Sequence, residues 1–173
     1  MAKKKLDLQA YQKDILARLK TQAESGRSVS SSKLGIQVGG HDCLVTLSDV
    51  SEVLPLPDIL KVPLTQAWFL GMANVRGNLY AVTDLASYLG FPPASVTSES
   101  RVLLVHGKFG INAGLLVDRL IGLRNLEEMK PETEVSDKAD WQVGRYKDKA
   151  GQLWEELSLD VLLGQNEFLQ VAA

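Results

Sequence analysis

The side chains able to do chemistry are few and scattered. Two histidines and one cysteine, His41, His106 and Cys43, are too few for a typical zinc site unless several carboxylates join them. His41 and Cys43 stand two apart, so on a strand they can share a face, but a turn histidine and a core cysteine explain both. No G-x-S-x-G elbow and no G-x-x-x-x-G-K-[ST] phosphate loop occur, and Gly107-Lys108 is followed by Phe109 where a phosphate loop needs a hydroxyl. The adjacent acids Glu127-Glu128 and Glu155-Glu156 read as solvated surface rather than acid–base pairs. The expectation is a protein without catalysis, cofactor or metal.

One arginine is different. In Asn74-Val75-Arg76-Gly77, the glycine permits a backbone conformation that side chains resist, and Asn74 can hydrogen-bond its own turn. Arg76 is thereby held at the mouth of a strand. Its guanidinium can grip a carboxylate with two parallel hydrogen bonds, and Glu52 is a candidate partner if the two strands meet.

The rest of the composition sets bounds. Lys and Arg total 19 against 21 Asp and Glu, a formal charge of −2 that offers no global field for nucleic acid or an anionic membrane. A single cysteine rules out an internal disulfide, the opening MAKKKLDLQAYQKD has no apolar stretch behind its lysines, and no apolar run nears the roughly 20 residues a membrane helix needs. A cytoplasmic protein without membrane insertion is the expectation. At 173 residues there is chain enough for one good core and too little for two full domains.

The elements that must position Arg76 follow from periodicity. Leu8, Tyr11, Ile15 and Leu19 recur at helical steps behind Asp7, a possible N-cap, and Gly26 with ESGRSVSSS ends the segment in a flexible connection. Residues 1–31 thus read as a helical arm and linker, docked either on the chain's own domain or on another protein. Lys3, Lys4 and Lys5 read as solubilising.

From residue 32 the period becomes two. Leu34 to Leu47 alternate around Gly39-Gly40 as a hairpin, Asp49 to Leu54 turns into another strand, and Pro55, Pro57 and Pro63 keep the next stretch out of any central strand. Thr65 is expected to cap a short helical turn over QAWFL that Gly71 ends. LYAVT reads as a strand, and Asp84 caps LASYL, which Gly90 and Pro92 stop. Arg101 to His106 and Ile111 to Val117 form a second hairpin across GKFG, PETEVSDKAD is a charged loop, and VGRYKDKAGQLWEEL is a third hairpin turning at Gly151 before a helix over Ser158 to Leu163. Trp68, Trp141 and Trp154 read as core or loop anchors. Many short strands without long crossover helices argue for a mainly β barrel or sandwich.

These residues carry a resemblance. VSEVLPLP, VPLTQAWFLGMANVRGNLYAVTDLASYLG and RVLLVHGKFGINAGLLVDRLIGL resemble the CheW-like coupling proteins of bacterial chemotaxis systems, over about Ser32 to Leu163. The most specific part is the frame G-x-x-N-x-R-G-x-x-x-x-V-x-D-L, met by Gly71, Asn74, Arg76, Gly77, Val82, Asp84 and Leu85, followed by Val117-Asp118-Arg119. The resemblance implies a CheW-like fold of two SH3-like five-stranded β-barrels over residues 32–173, sharing a core and a groove. It implies a non-catalytic adaptor coupling methyl-accepting chemoreceptor tips to the regulatory domain of a CheA-type histidine kinase, in the cytoplasm at inner-membrane receptor arrays. Glu52, Leu54, Asn74, Val75 and Arg76 are the partner-binding candidates it suggests, and Gly71, Gly77, Asp84 and Asp118 the structural ones.

The helical arm is longer than in the common flagellar type, and Leu54-Pro55, PLTQAWFLGMANVRGNLY and the ending LWEELSLDVLLGQNEFLQVA look more like the subgroup that serves type IV pili and twitching motility. A flagellar coupling protein and a β-barrel peptide-binding module with another partner are the alternative readings.

Overall fold

Alternating apolar residues become strands buried on both faces. The computed structural model describes residues 15–20, 32–133 and 138–173. Ser32–Val38 (β1) and His41–Thr46 (β2) pair antiparallel about Gly39 and Gly40, both at positive φ, as a two-residue hairpin requires. Val50–Leu54 (β3) follows. Phe69–Val75 (β4) and Asn78–Asp84 (β5) form the hairpin that carries Arg76. Arg101–Val105 (β6), Ala113–Val117 (β7), Arg119–Asn125 (β8), the two-residue Lys130–Pro131 (β9), Gln142–Lys147 (β10) and Leu153–Leu157 (β11) complete the strands.

Helices are short. Residues 15–20 form α1. Leu85–Tyr88 (α2) is capped by the Asp84 carboxylate on the Ser87 amide, and Leu159–Leu163 (α3) by the Ser158 hydroxyl on Val161; Asn166–Leu169 (α4) was not anticipated.

The strands assemble in two sheets, one of six strands in the order β8-β1-β2-β11-β10-β9 and one of five in the order β3-β6-β7-β5-β4. A core shared between them takes Leu34, Ile36 and Val45 from the first sheet and Leu103, Leu115 and Val117 from the second. Alternate residues turn the other way: Val102, Leu104 and Leu116 enter a smaller core on the far side of the five-stranded sheet, while Leu44 and Trp154 enter one on the far side of the six-stranded sheet. The smaller core of the five-stranded sheet includes Leu54 of β3 together with Ala73 and Val75 of β4, the two edge strands. The sheet is therefore curled until its edges share one interior.

Two expectations change. QAWFL is not a helical turn: Phe69 starts β4, Thr65 donates its hydroxyl to the Val62 carbonyl at 2.9 Å, and Gly71 lies inside the strand at a bulge opposite β5. There φ is 137° and an added Cβ would collide with the Leu60 carbonyl, so the glycine admits a close backbone crossing rather than ending a helix. Residues 119–125 form β8, pairing with β1, where no strand was expected. Arg119 and Arg124 near its ends and Gly122 in its middle blur the apolar alternation.

Of the arm, Asp7, Leu8, Tyr11, Gly26 and the three leading lysines lie outside the described residues, as do residues 134–137 of the charged loop. In the described part, Leu16 is buried in the shared core, Leu19 packs against it, and the Lys20 ammonium donates to the Val50 carbonyl at 3.1 Å. This segment docks on the chain's own domain. The helical spacing had singled out Ile15 and Leu19, and the side chain between them is the one that goes deepest.

Candidate functional site

Arg76 and Gly77 are the two turn residues between β4 and β5, with Val75 paired to Asn78. Both have positive φ, 51° and 85°, the mirror-image turn that matches the strand twist. Glycine meets this without strain, whereas Arg76 is one of two non-glycine residues with positive φ among the described residues. The Asn74 side-chain oxygen accepts from the Gly77 amide at 2.8 Å and fixes the turn.

From this turn the Arg76 guanidinium reaches Glu52 with both terminal nitrogens, one bond of 2.9 Å to Oε1 and a second to Oε2. The pairing expected from sequence forms, and topology gives it a meaning that sequence did not. β3 and the β4–β5 hairpin stand at opposite ends of the five-stranded order, so the fork joins the two sides of the curled sheet. The Glu52 side chain is 9% exposed and the arginine 48%, so the pair has a dry end and a wet end. The hydrogen bonds Arg76 donates to Glu52, then the charge of that carboxylate, raise the arginine pKa further and keep the guanidinium ionised.

The remaining candidates divide by burial. Leu54 and Val75 line the smaller core beneath the pair, and Asn74 is exposed beside it. Asp84 uses its second oxygen on the Ala94 amide at 2.9 Å, tying α2 to the loop that leaves it. Asp118 accepts from the Gly40 amide at 2.9 Å, and its own amide donates to Gln37, so the V-D-R stretch clamps the β1–β2 turn.

The possible catalytic groups do not assemble. Exposed His41 stacks on Phe91 at 4.3 Å while Cys43 is buried in the shared core. Burial, then the charges of Glu155, Asp42 and Asp118, push its thiol well up. Among the described residues no three metal-ligating side chains cluster. Glu155 and Glu156 are not solvated surface, correcting the reading from sequence: Glu155 pairs with Arg145 at 3.3 Å, and Glu156 with buried Lys33 at 2.8 Å and the Tyr146 hydroxyl at 3.1 Å. Adjacent strand residues face opposite ways, and each acid finds its own cation. Trp154 is buried, and Trp68 and Trp141 are partly so.

One surface feature escaped sequence reasoning. Leu60 and Leu64, on the proline-bearing loop between β3 and β4, are 73% and 86% exposed. Alternation cannot find such residues, because the loop has no period.

A double β-barrel protein, with a salt-bridged turn at its surface and no metal cluster among its described residues, is the class that fold and site define. The chain belongs to the CheW-like domain family, which matches residues 33–167. Protein PilI of Pseudomonas aeruginosa is 32% identical over 120 residues, covering 69% of this chain and 66% of PilI, just under two thirds of that protein. Chemotaxis protein CheW of Thermotoga maritima is 31% identical over 106 residues, 61% of this chain and 69% of that protein. In fold, the chain is similar to the crystal structure of scaffolding protein TtCheW from Thermoanaerobacter tengcongensis, with a TM-score of 0.66 at 24% identity, covering 79% of this chain and 94% of that one.

Proposed function

We propose that the protein is a non-catalytic coupling scaffold of a chemosensory system, binding the regulatory domain of a CheA-type histidine kinase and the tip of a methyl-accepting chemoreceptor. The observation that carries this reading is the Glu52–Arg76 pair, set by a strained two-residue turn at the surface of a CheW-like domain. A fixed charge with one buried and one wet end is suited to recognition, because its geometry is prepaid before a partner arrives. Glu52, Asn74 and Arg76 would form the contact, with Leu54 and Val75 supporting it from beneath. The place of work is the cytoplasmic side of the inner membrane. Consistent with this, no helix among the described residues is long and apolar enough to cross a membrane.

The similarity to PilI supports an output through type IV pili and twitching motility. The test has two arms. Calorimetric titration of the full chain with the cognate kinase's regulatory domain, chelator present, should give saturable binding; no heat at high concentration would end the coupling reading. Deletion of the gene should abolish twitching and spare swimming, and the opposite pattern would assign a flagellar system instead.

A further inference from the structure

A cleft of about 370 Å³, within the size range of small-molecule sites, opens where three pieces of chain meet. The β1–β2 turn supplies Gly39 and Gly40, the junction of β7 and β8 supplies Asp118 and Arg119, and the loop from α2 to β6 supplies Pro92, Pro93 and Glu99.

The walls are fixed before anything enters. The Asp118 carboxylate holds the turn through the Gly40 amide, and the loop is tied at its start by the Ala94 amide on Asp84. Near its end the Thr97 amide donates to the Ser100 hydroxyl at 2.8 Å, and the Ser100 amide returns a bond to the Thr97 carbonyl at 3.1 Å. Turn and loop also touch: a Cβ added at Gly39 would lie 2.7 Å from that of Phe91, the ring on which His41 stacks. Pro92 and Pro93 have φ locked by their rings. Such a cleft has little conformational freedom left to lose on binding.

Its polar groups are largely unspent. Arg119 pairs with Gln37 across the β8–β1 ladder, and its Nε donates to the Gln37 Oε1 at 3.3 Å. That bond orients both side chains and leaves the two terminal guanidinium nitrogens and the Gln37 amide nitrogen without a partner among the described residues. Opposite charge stands in the same cleft. Asp118 commits one oxygen to Gly40, and Glu99 is exposed and joins no ion pair among the described residues. A lone carboxylate on Arg119 would meet two like charges, and a lone ammonium on the acids would meet the guanidinium. A small molecule carrying both charges on neighbouring atoms satisfies all three groups.

We propose that this cleft binds a free α-amino acid, its carboxylate on Arg119 and Gln37, its ammonium between Asp118 and Glu99, and its side chain against Pro92 and Pro93. A peptide terminus offers only one of the two charges, so the free zwitterion is the ligand that fits. The site is separate from the Arg76 turn: β5 runs from that turn to Asp84, where the cleft's loop is tied, which puts about 20 Å of strand between them. The inference stands independently of the coupling reading. With its charges still in contact with water, the site should bind at about 1 mM.

The test is a nuclear magnetic resonance titration of the full-length protein with each common amino acid in turn, at millimolar concentration. At least one should shift the Gly40, Glu99 and Arg119 amides saturably and leave the Gly151 turn still. The analogues of that binder lacking the ammonium or the carboxylate should each bind about tenfold weaker or worse. Arg119→Gln and Glu99→Gln change groups at the rim of the cleft; each should weaken binding about tenfold with the melting temperature unchanged. If Arg119→Gln lowers the melting temperature, Glu99→Gln decides. No saturable shift with any amino acid would overturn the proposal, as would a binder that tolerates loss of either charge or is indifferent to Glu99→Gln.

Discussion

Arg76 has a structural job that is separate from the contact we propose for it. Its fork satisfies both oxygens of a mostly buried carboxylate, so removing it strands Glu52 in a place where water cannot take over. Substitution therefore costs more than the 0.5 kcal/mol or so usual for exposed charges. Arg76→Glu should destabilise the fold by about 1–3 kcal/mol, and Arg76→Lys by less, since lysine keeps the charge and loses the second parallel bond. Urea unfolding of both variants checks the order; equal values would deny the fork its role. That Glu52 and Arg76 would meet was legible in the sequence from residue type and turn geometry. That they would join opposite sides of a curled sheet was not, because strand order is a long-range property that no local pattern records.

Cys43, read from sequence as a core cysteine, shows how burial silences a thiol. With the thiol pushed up by burial and nearby carboxylates, it holds its proton where an unfolded cysteine, near about 8.5, loses it. The contribution to stability is full below that value and falls as pH rises above it. At pH 8 a thiol reagent should label the native protein only as fast as it unfolds, and stability should decline between pH 8.5 and 10, more than in Cys43→Ala. Rapid native labelling would show an accessible thiolate instead.

Among the elements, the hairpins were the most legible, because turn chemistry and alternation agree. Gly39-Gly40 and Gly151 mark turns that form, Asp84 caps its helix as expected, and Ser158, expected as the first residue of the last helix, caps it instead. Misreading came where a glycine serves a different purpose. Gly71 looked like a helix stop, but it lets Leu60 cross β4 closely, a contact between segments eleven residues apart that composition does not announce. The two frame glycines should accordingly differ. Gly77 has open space around its missing Cβ, so Gly77→Ala pays for conformation alone, about 1 kcal/mol. Gly71→Ala adds a collision with backbone and should cost about 1–3 kcal/mol more, with the melting temperature falling further. Equal shifts would mean that the loop yields easily and that the Leu60–Met72 bridge is weak.

At the scale of the whole molecule, two sheets share one large core and each curls over a smaller one, so most strands are buried on both faces. That is why RVLLV and AGLLV read as continuous apolar runs instead of clean alternations. The arm adds a further piece through Leu16. We propose that residues 32–173 fold without it: Leu16→Ala should lower stability by about 2–4 kcal/mol, and a chain beginning at Ser32 should retain its β-rich circular dichroism with a lower melting temperature. An unfolded truncation would make the arm part of the fold itself.

The coupling account stands most directly on one calorimetric comparison with the kinase regulatory domain: the unaltered protein, Arg76→Glu, and the exchanged pair Glu52→Arg with Arg76→Glu, each shown to be folded at the temperature used. Arg76→Glu should weaken binding about thirtyfold, roughly 2 kcal/mol, and the exchange should restore the melting temperature more fully than the affinity, because it rebuilds the internal bridge while reversing the charge shown to the partner. Unchanged affinity in folded Arg76→Glu would contradict the account.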